Sequence, residues 1–161
     1  MKSNLIFIIA VVLIAVACTP KESVADQNKA VMKNMINDLN QPDWADKMAA
    51  YMPAEEFENY KEVHSRFRTA FPDYHYSPEV IAASGDTVVT VGTVTVTHQA
   101  ALDTWFFKGV EPTGKQYNWK EIWVMTLKEG KVTWAYSLTD NLDLLNQLGI
   151  VFPPQPATEE E

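Results

Sequence analysis

The chain reads as an α+β domain: helices in its first half lie on an antiparallel sheet made by its second half. Two patterns predict this. Apolar residues recur at helical spacing up to Pro72, and beyond it they alternate with a period of two. Helices followed by a strand meander must hide one sheet face under the helices. A sheet of about four strands that curls around them encloses a pocket, where ligands are to be sought.

Each element has its own signal. Ala30, Val31, Met35, Ile36 and Leu39 predict a helix over about 23–40. Pro42-Asp43 punctuates it, and Trp44, Met48 and Tyr51 predict a shorter second helix. A third starts near Pro53, with Pro at its first position and Glu55 and Glu56 in the first turn. Its apolar side takes in Phe57, Tyr60, Val63, Phe67 and Ala70, and Pro72 stops it. Strands are expected over 74–83, 87–99, 116–127 and 132–138, with tight turns at Ser84-Gly85-Asp86 and Lys128-Glu129-Gly130-Lys131. A long connection, 100–116, carries Trp105, Phe106 and Phe107 among the breakers Gly109, Pro112 and Gly114. Leu142, Leu144, Leu145 and Leu148 predict a closing helix ended by Gly149.

The N-terminus has the layout of a secretory signal: Lys2, an apolar run from Leu5 to Val16, then Ala15-Val16-Ala17 before Cys18. The run falls short of the roughly 20 residues of a comfortable span. Ala-Val-Ala-Cys resembles the lipobox of bacterial lipoproteins. That implies a diacylglycerol on the Cys18 sulfur and cleavage before it, the other reading being an uncleaved signal anchor. The expected division is a signal peptide at 1–17, a lipidated tether at 18–25, one domain at 26–151 and a disordered acidic tail at 152–161. The chain would then be tethered to a membrane of the cell envelope, facing the periplasm or the exterior.

Cys18 is the only cysteine, so no intrachain disulfide forms and no thiolate is left for catalysis or zinc. The formal charge is −8. That balance repels nucleic acid and anionic membrane surfaces, which leaves the lipid to do the tethering. Lys2 leaves with the signal, so the mature chain is more acidic still.

Three stretches resemble the SnoaL-like polyketide cyclases of the nuclear transport factor 2-like superfamily. Ala70-Phe71-Pro72-Asp73-Tyr74 resembles the family's lead into its first strand. Gly92 to Gln99 with Pro112-Thr113-Gly114-Lys115 resembles its second strand and following loop. Gly130-Lys131-Val132 and the run from Asp140 through Leu144-Leu145-Asn146-Gln147-Leu148-Gly149 resemble its last hairpin and close. The resemblance covers about 47–151. It implies a cone-shaped fold with a pocket at its wide end, and ring closure by an intramolecular aldol step with neither metal nor cofactor. It also implies Asp140 as general acid and base with His98 in support, and a homodimer through the open sheet face. The family often shows His-Trp-Asp around the strand position of Ala135-Tyr136-Ser137, and here those residues differ.

Each candidate has a plainer alternative. Asp140 directly precedes a helix, where aspartate serves as a cap; as a buried acid its pKa would rise toward a working range. His98 shares a strand face with Val88, Thr90, Gly92, Val94 and Val96, so it points toward helices or cavity, either as a polarising imidazole or as a strand-end residue bonded to backbone. His64 and His75 read as surface or structural, and three scattered histidines lack metal spacing. Alternation places Val132, Trp134, Tyr136 and Leu138 on one face of the last strand, and Trp119, Glu121, Trp123, Met125 and Leu127 on one face of the third. Tyr136, Trp134, Trp123 and Glu121 are thus candidates for a pocket that takes a small hydrophobic or planar molecule. Glu121, among tryptophans, must be paired, protonated or facing solvent. The expectation is a lipid-anchored protein with a small-molecule pocket, acting as a cofactor-independent cyclase or isomerase. The alternative is a non-catalytic ligand-binding or dimerisation module.

Overall fold

A computed structural model of the chain describes residues 22–102 and 110–149. The signal segment, Cys18, the aromatic trio Trp105-Phe106-Phe107 and the acidic tail lie outside the described residues. No helix among the described residues is long and apolar enough to cross a membrane.

Three helices come first. Helix α1 (Val24–Leu39) starts on Ser23, whose hydroxyl accepts from the Asp26 amide at 3.1 Å. It buries Met32, Met35, Ile36 and Leu39 on one stripe. Each such side chain, fully buried, contributes about 1.5–3 kcal/mol. Two asparagines fasten this helix to the sheet. Asn28 Nδ2 donates to the Gly85 carbonyl at 3.1 Å. Asn40, just past the helix, donates to the Tyr76 carbonyl and accepts from the Tyr76 amide, both at 2.9 Å. Helix α2 (Trp44–Met48) runs into a 3-10 turn, Ala49–Tyr51. Helix α3 (Ala54–Ala70) is capped by Pro53, which stands one residue before the first helical position.

The sheet is a meander in the order β1-β2-β3-β4: β1 (His75–Ser84), β2 (Thr87–Thr97), β3 (Gln116–Lys128) and β4 (Lys131–Thr139). Helix α4 (Asn141–Gln147) closes the domain. The inward face of β2 is the predicted one: Val88, Thr90, Val94 and Val96 are fully buried. Gly92 belongs to the same row, and its lack of a side chain is a steric requirement. A Cβ there would stand 2.5 Å from the Ser77 carbonyl oxygen and 2.6 Å from Cζ of Tyr76. The Tyr76 ring fills that gap, hydrogen-bonds Thr90 Oγ1 at 2.9 Å, and stacks on Trp123 with centroids 4.0 Å apart.

Strand β4 departs from simple alternation. Leu127 pairs with Val132, but Thr126 pairs with Trp134, so Thr133 is an extra residue in the ladder. The bulge changes parity. Val132 is buried with the core, whereas Trp134, Tyr136 and Leu138 share the outer face with their partners Thr126, Val124 and Ile122 and are each about half exposed. The four residues assigned to one face are therefore split between two, because a bulge shifts every later side chain across the sheet.

Candidate functional site

Ala135, Ser137 and Thr139 take the inner positions of β4, opposite Met125, Trp123 and Glu121. These small side chains leave space, and a hollow of about 210 Å³ lies between them and the helices. Met35 and Leu39 of α1, Met48 of α2, Met52, and Tyr60 and His64 of α3 form its other side. A second lobe of about 180 Å³ extends toward α4, lined by Phe67, Trp119, Thr139 and Leu144. His64, Tyr74 and Glu121 line both lobes. A wider groove of about 440 Å³, lined by Glu56, Asn59 and residues 132–135, runs between α3 and β4.

Glu121 is the acid of this hollow. It sits mid-β3 opposite Gly92 on one side and Thr139 on the other. Burial raises its pKa; hydrogen bonds from Trp123 and Thr139 offset part of the rise. Thr139 Oγ1 donates to Glu121 Oε1 at 3.3 Å. No salt bridge reaches Glu121 among the described residues. A carboxyl so placed holds its proton more readily than one in water.

His64 is the second polar group. Its ring lies 4.0 Å from that of Tyr60 and 6.1 Å from that of Trp44. Burial, with the positive charge of Arg68 one helical turn on, lowers its pKa to about 4, so the imidazole is neutral at pH 7. Burial also raises the Tyr60 and Tyr74 hydroxyls, and the charge of Glu121 adds to both. Two protonated phenols, a neutral imidazole and a carboxyl thus share one apolar hollow.

Arg68 holds this wall together from behind. Its guanidinium lies between the rings of Trp44 and Tyr74, 4.8 and 4.9 Å from their centroids. Nη2 donates to the Leu39 carbonyl at 2.5 Å, which satisfies the end of α1.

The remaining candidates stand elsewhere. Asp140 is the cap of α4: its Oδ1 accepts from the Asp143 amide at 3.0 Å, and the residue is exposed and lines neither lobe. His98 faces inward as its strand position implies, but beyond the hollow. It is packed between Phe71 and Tyr117, and its Nδ1 accepts from the Thr113 amide at 3.4 Å. Trp123 and Glu121 line the hollow. Trp134 and Tyr136 border the groove and the hollow along β4, but the bulged register puts their rings on the outer face, stacked on each other at 6.4 Å. His64, read from the sequence as surface or structural, is the residue that reading missed. Helical spacing held the signal: Phe57, Tyr60, His64 and Phe67 follow each other at three and four residues, whereas Val63 is exposed.

Comparison with known proteins agrees with this architecture. Residues 22–148 match the family described as SnoaL-like polyketide cyclase. AclR of Streptomyces galilaeus, assigned as a hydroxylase, superposes with a TM-score of 0.64 at 26% identity, covering 78% of this chain and 97% of AclR. A protein of Jannaschia sp. CCS1 assigned to the SnoaL-like polyketide cyclases gives a TM-score of 0.69 at 19% identity, covering 84% and 99%. A SnoaL-like polyketide cyclase from Agrobacterium tumefaciens gives 0.64 at 13% identity, covering 80% and 100%. The last two, at such low identity, speak for the fold alone. No curated protein gives a significant match. With the match spanning most of its length, the chain belongs to the SnoaL-like polyketide cyclase family.

Proposed function

We propose that the domain is a cofactor-independent enzyme of the cyclase or isomerase type, working on a carbonyl compound with Glu121 as its general base and acid. The observation that carries this is a largely buried carboxyl with no cationic partner among the described residues, in a hollow it shares with two phenols. Ionised Glu121 takes a proton from carbon beside the substrate carbonyl. The enolate oxygen that results is met by hydroxyl donors, Tyr60 and Tyr74, whose raised pKa keeps them protonated. In a ring closure the enolate carbon then attacks a second carbonyl of the same molecule. One carbon–carbon bond forms, and Glu121 returns its proton to the new alkoxide. Returned to a different carbon instead, the same proton completes an isomerisation. Neither course needs an oxidant or reductant.

The test is solvent exchange. In deuterated buffer the protein should catalyse exchange of the α-protons of a simple ketone such as 1-tetralone, followed by NMR. Glu121→Gln should lower that catalysis by about 10²–10⁴-fold. Exchange undiminished in the variant would remove Glu121 from the chemistry.

A second reading, retention of a ligand without turnover, has an observation in its favour. Four of the six methionines line the first lobe, and thioethers adapt to ligand shape. Tight binding of a ketone with no exchange would select it.

Two further elements belong to the proposal. The lipobox-like Ala15-Val16-Ala17-Cys18 supports anchoring through a lipid on Cys18; Cys18→Ala should release the chain from the membrane fraction. Exposed Val80, Trp134, Tyr136 and Leu138 on the outer sheet face support a homodimer through that face. Sedimentation should show the dimer, and Tyr136→Glu should dissociate it.

A further inference from the structure

On the footing of Glu121 as acid and base, we propose that His64 is a proton relay. It carries the proton that Glu121 has taken from carbon out of the hollow to solvent in the groove between α3 and β4, and it returns one by the same path.

Position is the first ground. Among the described residues, His64 is the one side chain that lines both lobes of the hollow and the groove as well. Glu121 lines both lobes but not the groove. A proton bound from its carboxyl to the groove crosses the wall that the two spaces share. Five described residues form that wall: Met52, Tyr60, Val63, His64 and Ala135. Met52, Val63 and Ala135 carry no group that takes a proton at neutral pH. Tyr60 keeps its own proton, because burial raises its pKa. The imidazole is the one base among the five.

The chemistry of the ring suits the task. A neutral imidazole has a lone pair on one nitrogen and a hydrogen on the other. The proton leaves the Glu121 carboxyl, through a bridging water where the gap requires one, and joins the lone pair. The other nitrogen gives up its hydrogen to water in the groove or to the Glu56 carboxylate. Glu121 is left ionised and the ring neutral in its other tautomer, and the return trip restores both. No bond to carbon is involved and no electrons are transferred. His64 does not keep the proton, since its pKa of about 4 lies below that of Glu121, which burial raises above 4.5. The far end of the path is polar. Glu56, Tyr60 and His64 follow one another along α3 at steps of four residues, about 6 Å each. Exposed Glu56, Asn59 and Thr133 line the groove, whose 440 Å³ has room for several waters at about 30 Å³ apiece. The Tyr60 ring, 4.0 Å from that of His64, holds the imidazole at the threshold. Without the relay, Glu121 hands back the hydrogen it took, and deuterium from solvent does not enter the substrate.

The full chain and the exchange of 1-tetralone in deuterated buffer test this. His64→Ala should slow exchange at least about tenfold. Added imidazole, after subtraction of its own catalysis, should restore the rate toward wild type. Pyrrole, a ring of the same size with no basic nitrogen, should not. His64→Gln keeps size and polarity but passes no proton, and it should be as slow as His64→Ala. Wild-type exchange in either variant would overturn the relay. So would rescue by pyrrole as good as that by imidazole, or no rescue by imidazole, since either result makes the ring a structural part only. The two proposals fail separately. Slow exchange in Glu121→Gln with undiminished exchange in His64→Ala keeps the base and overturns the relay. Undiminished exchange in Glu121→Gln removes the base; slow exchange in His64→Ala would then make His64 itself the base, which overturns the relay too.

Discussion

Glu121 and Asp140 are one backbone hydrogen bond apart. The Asp140 amide donates to the carbonyl of Lys120, the chain neighbour of Glu121, at 3.2 Å. Yet the two carboxylates are in opposite surroundings. Glu121 points into the hollow from mid-β3, where, among the described residues, the Thr139 hydroxyl and a bond from Trp123 offset its burial. Asp140 stands in water at the start of α4, with its oxygen on the Asp143 amide. One carboxyl lies in an apolar hollow with few groups to satisfy a charge; the other meets a helix end in water. An acid's surroundings, rather than its place in a family motif, decide what it can do.

That contrast can be broken by variants on each side, and the largest effect belongs to the exchange reaction. Glu121→Gln should lower α-proton exchange by about 10²–10⁴-fold, the usual contribution of a positioned general base, while Asp140→Asn leaves it near wild type. The reverse result would move the chemistry to the helix cap.

Next comes His64. Its folded pKa of about 4 lies below the ordinary 6.5, so between these values the unfolded chain binds more protons. Stability should fall as pH drops through that window, by at most about 3 kcal/mol. Chemical denaturation at several pH values should show this loss diminished in His64→Gln, and an unchanged loss would place the imidazole outside the hollow.

Gly92→Ala should cost about 1–3 kcal/mol, because the new methyl displaces Tyr76 and with it the Trp123 wall. Denaturant midpoints give the cost, and weakened tetralone binding in the same variant would show that the wall moved.

Smallest is Asp140→Ala, which should lose about 1 kcal/mol of stability as a missing cap does, with no change in ligand affinity. A stability change too small to measure would mean that the cap contributes little.

Much of this arrangement was legible in the residues. The change from helical to alternating periodicity marks the border between layers, and Ser23, Pro53 and Pro72 bound the helices close to where they begin and end. Alternation also put Glu121 in one row with Trp119 and Trp123. Which row the helices cover follows from packing, and a single strand does not announce it. The facing of Trp134 and Tyr136 was not legible, because the bulge at Thr133 arises from pairing with Leu127 and leaves no local mark. His64 was legible by spacing but obscured by polarity: Val63, an apolar neighbour, claimed its place on the inner stripe. The cap role of Asp140 was one of two readings its position allowed, and it is the one the Asp143 amide fulfils.

The proposed catalysis depends on the proton affinity of Glu121, and a carbon-13 NMR titration of its side-chain carboxyl measures it directly. The account predicts a midpoint clearly above the ordinary 4.5, with the signal absent from Glu121→Gln. A midpoint at or below 4.5 would contradict it.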